Sequence, residues 1–87
     1  SLDLWIQQSN CYRQLNNPDQ AMLILSKVIN ENVISSLRVK AMFLRAEVYE
    51  MQGRRELARK QLESVAKKGG EWAALAKEKL EREYKYE

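Results

Sequence analysis

Histidine is missing from the chain altogether, and cysteine occurs once, at position 11. Without His the commonest general acid–base residue is absent, and neither a Ser–His nor a Cys–His nucleophile can be assembled. One Cys closes no internal disulfide and supplies only one of the several ligands a metal site needs. Gly69-Gly70 is the only glycine pair, and a helix stop explains it without a phosphate-binding loop. No catalytic residue, no metal and no cofactor is therefore expected. Three Gly and one Pro in 87 residues leave too few turn formers for a many-stranded β fold. With 45% apolar and 31% charged residues the chain is not a disordered one. No apolar run approaches the roughly 18–20 residues of a membrane span, and no signal-peptide pattern opens the chain. The length suits one domain at most.

What is present is helical periodicity, in five stretches. Leu4, Trp5, Gln8, Cys11, Tyr12 and Leu15 form one stripe of a first helix, and Cys11 reads as a small buried hydrophobe on it. The pattern breaks at Asn16-Asn17-Pro18-Asp19, where Asn17 suits an N-cap, Pro18 the first helical position and Asp19 the dipole. A second helix runs to about Asn30 with Ala21, Met22, Leu25, Val28 and Ile29 on one face, and Asn30-Glu31-Asn32 breaks it. Ser35 or Ser36 is placed to cap a third helix bearing Ala41, Met42, Val48 and Tyr49, which Gly53 ends. The fourth, from Arg54 to about Lys67, turns Leu57, Ala58, Leu62, Val65 and Ala66 inward. The fifth, from about Glu71, does so with Trp72, Leu75, Ala76, Leu80 and Tyr84. No stretch alternates in the manner of a strand. The expected fold is all-α, with short connections that make successive helices antiparallel neighbours.

Helices one and two also repeat as three and four. A shift of 37 positions aligns Tyr12 with Tyr49, Ala21 with Ala58, Leu25 with Leu62 and Val28 with Val65. It also aligns Trp5 with Met42, Cys11 with Val48, and the break at Asn16 with the break at Gly53. The spacing resembles the tetratricopeptide repeat, whose period is about 34 residues. Tyr49, Gly53, Ala58 and Leu62 stand where that family puts its Tyr, Gly, Ala and aromatic residue, and Trp5, Tyr12, Ala21 and Leu25 match in the first copy. Ser9 and Ala46 occupy the small-residue place, whereas Gln8 and Arg45 sit where Leu is preferred. The resemblance implies an α–α superhelix or solenoid fragment of about five antiparallel helices. Its parts are a first repeat over 2–32, a second over 33–68 and a capping helix over 69–87.

The resemblance also implies a function: a non-enzymatic protein–protein interaction module, a scaffold or adaptor, that takes a partner peptide or helix in a concave groove. The first helix of each repeat lines that groove in the family. Carried over, the lining is Asp3, Ile6, Asn10, Arg13 and Gln14 from the first copy and Lys40, Phe43, Glu47, Glu50 and Met51 from the second. Ile6 and Phe43 are equivalent under the shift and more apolar than a solvated face requires, so they are expected either to floor the groove or to be covered by another helix or chain. The version of the repeat that clamps a chaperone's acidic C-terminus needs Lys and Asn in the groove. Asn10 fits that pattern; Ile6, Phe43 and Glu47 do not.

Two further surfaces stand out. Two repeats are few for stability, because each hairpin buries its face against neighbours. The face of helix one bearing Leu4 and Trp5 is therefore expected to receive a neighbouring repeat or a second copy. The charge is asymmetric as well: residues 1–36 carry net −1 and residues 37–87 net +4. Arg54, Arg55, Arg59, Lys60, Lys67 and Lys68 form a basic strip, which makes a helical nucleic-acid binder the alternative reading. The interleaved acidic residues and the helix's convex position disfavour it. Membrane insertion is not expected, since the apolar faces are already used in the core. The compartment is left open, with a cytoplasmic setting slightly favoured.

Overall fold

The computed structural model describes residues 2–31 and 35–86. It contains five helices: α1 (Leu2–Gln14), α2 (Pro18–Asn30), α3 (Ser35–Met51), α4 (Arg55–Ala66) and α5 (Gly70–Glu83). No strand occurs among the described residues. Each helix packs on the next as an antiparallel neighbour, and α3 also touches α1 and α5.

The turns inside the two hairpins are the same turn built from different residues. Asn16 has φ 56° and Gly53 φ 74°, both left-handed. In the first turn the Asn16 amide donates to the Arg13 carbonyl at 3.0 Å and the Asn17 amide to Tyr12 at 2.8 Å. In the second the Gly53 amide donates to Glu50 at 3.0 Å and the Arg54 amide to Tyr49 at 2.9 Å. This is the paired 5→2 and 6→1 bonding that satisfies the last carbonyls of a helix. Asn and Gly are the two residues that take the left-handed conformation at least cost. Gly53→Ala is accordingly expected to cost about 1–2 kcal/mol, read from the midpoint of urea unfolding. Asn17 caps α2 as expected, its side chain accepting from the Gln20 amide at 3.4 Å, with Pro18 at the first helical position. Ser35 and Ser36, the two expected caps of the third helix, both lie within α3, and the residue that precedes it is outside the described residues.

Two cores flank α3. Ile6, Ala21, Leu25 and Val28 of the first hairpin meet Ala41, Leu44 and Val48 of α3. On its other side Val39, Met42, Phe43 and Ala46 meet Ala58, Leu62 and Val65 of α4 and Ala76 and Tyr84 at α5. Helix α3 is thus apolar nearly all round in its middle, as a helix between two layers must be. Ala21 and Ala58 are both fully buried, which lets each hairpin's two helices approach closely.

Three features depart from the sequence reading. On α1 the fully buried residues are Ile6 and Ser9, whereas Leu4, Gln8, Cys11 and Leu15 of the expected stripe are exposed. Trp5 and Tyr12 lie on the boundary, half-buried against the first core. A helix in an array has two apolar faces, one inside its hairpin and one toward a neighbour, and the longer stripe is the second. On α4 Leu57 is exposed and Gln61 is buried in its place, because Gln61 accepts a 2.6 Å hydrogen bond from the Arg45 guanidinium. On α5 Leu75 is exposed and Ala73 faces inward.

Candidate functional site

The ten groove positions separate into four groups. Ile6 is fully buried and Phe43 is 8% exposed, so of the two expected alternatives, flooring the groove or being covered, both residues take the second. Ile6 belongs to the first core. Phe43 is covered by α5: its ring centroid lies 5.4 Å from that of Trp72. Glu50 is committed to α5 as well. Lys79 Nζ stands 3.1 Å from its Oε1, and the Tyr84 hydroxyl donates to its Oε2. Lys79 also reaches Glu83 at 3.5 Å. The hydrogen bond from Arg82 holds the Glu83 carboxyl below the ordinary range, against its slight burial and aided by the Lys79 charge.

The third group stays together at the surface. Asn10, Arg13 and Gln14 of α1 and Met51 of α3 line one open depression of about 400 Å³, joined by the edge of Leu44. Arg13 Nη2 bridges to Glu47 Oε1 across the two helices at 3.2 Å. Two atoms here are buried and lack a hydrogen bond, Asn10 Oδ1 and Arg13 Nε. Of the four such side-chain atoms among the described residues, two belong to this depression. Asp3 is exposed and Lys40 half-buried, and neither lines it.

Sequence reasoning missed Leu44, Lys79 and the tie of the inward-facing Tyr84 to Glu50. The first carries no signal, because a helix apolar all round does not reveal which apolar residue shows an edge. The other two could be found only by knowing how α5 turns back over α3. The Arg45–Gln61 pair was half visible: Arg45 takes a place where the repeat prefers Leu, and it also reaches Ser26 of α2 at 3.4 Å.

The basic strip is discontinuous. Arg55 stacks over the Tyr84 ring at 4.0 Å and donates to the Glu83 carbonyl at 2.7 Å. Arg54 lies over Tyr49 at 5.2 Å, and Arg59 pairs with Glu56. Lys60, Lys67 and Lys68 are exposed. Among the described residues no cluster of three His, Cys, Asp or Glu could hold a metal ion, and no helix is long and apolar enough to cross a membrane.

A stack of helical hairpins with a depression between their first helices defines a helical-repeat protein. The tetratricopeptide repeat family model matches residues 3–32 and 40–68, most of the chain, and the chain belongs to that family. Repeats of this family generally serve as non-enzymatic protein–protein interaction modules. No curated protein and no solved structure matches the chain.

Proposed function

We propose that the protein holds a segment of a partner protein in the depression between α1 and α3, without catalysing a reaction on it. The observation that carries this reading is the convergence of Asn10, Arg13, Gln14 and Met51, four positions drawn from two repeats, on one open hollow. Met51 and the edge of Leu44 offer apolar contact; Asn10 and Gln14 offer amides that fix register. The buried orphans Asn10 Oδ1 and Arg13 Nε support the reading further. An unmade buried bond costs about 1–3 kcal/mol, which a small rotation toward a bound segment would recover. The hollow is neither strongly acidic nor basic, because Arg13 and Glu47 neutralise each other. The fitting ligand is an uncharged segment with one apolar anchor and amide or hydroxyl neighbours.

The test is selection of peptides from a random displayed library on the immobilised chain, followed by titration of the enriched peptide. Met51→Glu and Asn10→Ala are each expected to weaken it about tenfold or more. Lys60→Glu with Lys67→Glu, on the convex side, should leave it unchanged. Peptides insensitive to the first pair, or enrichment of nucleic acid alone with loss at moderate salt, would refute the assignment and move the site to the basic strip.

A further inference from the structure

A second surface lies on α1, about a third of a turn away from the hollow. The 37-residue repeat shows what that surface is built to meet. In α3 and the residue just after it, Ala41, Arg45, Val48 and Gln52 all engage the first hairpin. Ala41 and Val48 are fully buried in its core, Arg45 reaches Ser26, and Gln52 donates to Asp19 Oδ1 at 3.0 Å. Their equivalents in the first repeat are Leu4, Gln8, Cys11 and Leu15. Leu4 is 50% and Leu15 75% exposed, and Gln8 and Cys11 are exposed between them. A depression of about 360 Å³ lined by Gln8, Cys11, Tyr12, Leu15 and Ile24 runs beside the stripe. The same side of the helix that packs on the first hairpin in the second repeat is exposed in the first.

We infer that this stripe is a self-association site, at which α1 of one copy pairs antiparallel with α1 of a second. Three observations favour a second copy. The spacing 4, 8, 11, 15 alternates steps of four and three, the seam along which two helices stay in register. The seam is symmetric: Leu4 lies as far before the midpoint between Ser9 and Asn10 as Leu15 lies after it, and Gln8 and Cys11 are placed likewise. A two-fold axis through that midpoint sets Leu4 against the partner copy's Leu15 and Gln8 against its Cys11, the self-complementarity a two-fold dimer needs. Finally, the stripe and the Gln7 beside it carry no charge, and on the other flank the nearest cation, Lys27, is drawn over the Trp5 ring at 4.7 Å. Two short helices bury less than the roughly 1,200–2,000 Å² of a standard interface, so the dimer is weak and concentration-dependent. The hollow at Asn10, Arg13, Gln14 and Met51 stays clear of it, and a dimer presents two hollows to one ligand.

The test is sedimentation velocity of the 87-residue chain under reducing conditions, over about 10 µM to about 1 mM. The mass should rise from 10.2 kDa toward twice that value. Leu4→Glu and Leu15→Glu should each weaken the dimer about tenfold or more, with helical circular dichroism unchanged. The double variant Leu4→Glu, Leu15→Lys restores it only in the antiparallel register, where each Glu meets a Lys of the other copy. In the Gln8→Cys variant, mild oxidation should trap a covalent dimer, because the introduced thiol faces the other copy's Cys11. A wild-type chain that stays monomeric at the highest concentration overturns the proposal and leaves the face to a hairpin of another kind. So does a dimer indifferent to both Leu substitutions, or one the charge pair fails to restore.

Discussion

Phe43→Ala is expected to lower the stability of the fold by about 3–5 kcal/mol, the range for truncating a buried aromatic side chain. The ring is 8% exposed and lies between α4 and α5, packed on Trp72. Its removal empties the place where α3, α4 and α5 meet. A loss of that size is a large part of the few kcal/mol a domain this small holds. Urea unfolding followed by Trp fluorescence would read it, since Trp72 reports the site directly. Met51→Ala, about two turns further along the same helix and exposed, should cost no more than about 0.5 kcal/mol. The contrast separates a core residue from a binding one. If Phe43→Ala left the midpoint in place, the ring would be surface after all and the packing of α5 over α3 would be wrong.

Tyr84→Ala should release α5 without unfolding the first hairpin. The phenol is 4% exposed, Arg55 covers its face, and its hydroxyl donates to Glu50, which Lys79 also engages. One side chain thus ties the end of the last helix to the end of α3 and the start of α4. Truncation removes a buried ring, worth about 3 kcal/mol or more. It also leaves Glu50 with Lys79 alone. Tyr84→Phe keeps the ring and loses only the hydrogen bond, about 1.5–3 kcal/mol because the acceptor is charged. Amide hydrogen exchange resolves where the loss falls: protection should collapse over residues 70–86 and persist in α2. Uniform loss along the whole chain would mean that α5 and the first hairpin unfold as one unit.

Much of the fold was legible because it is local. The Asn17–Pro18 start, the Gly53 stop, the alanines at 21 and 58 and the 37-residue shift each fix a backbone conformation or a close approach through a nearby residue. The faces were harder. Leu4, Cys11 and Leu15 make as good a stripe as Ile6 and Ser9, and periodicity does not say which face meets its own hairpin and which meets a neighbour. Leu57 and Leu75 misled for a related reason, since alanine and a paired glutamine take the inner places where helices crowd. Of the ten groove positions, Asn10, Arg13, Gln14 and Met51 meet at one hollow. Periodicity left open whether Ile6 and Phe43 floor the groove or are covered, and the first core and α5 that cover them are long-range facts absent from any window of the sequence.

The most direct test of the binding site is amide chemical-shift mapping of the isotope-labelled chain, titrated with the peptide enriched from the library. Binding in the hollow predicts the largest shifts at Asn10, Arg13, Gln14, Leu44, Glu47 and Met51, with α4 nearly silent. Shifts centred on Arg54–Lys68 would contradict it and place the working surface on the convex side.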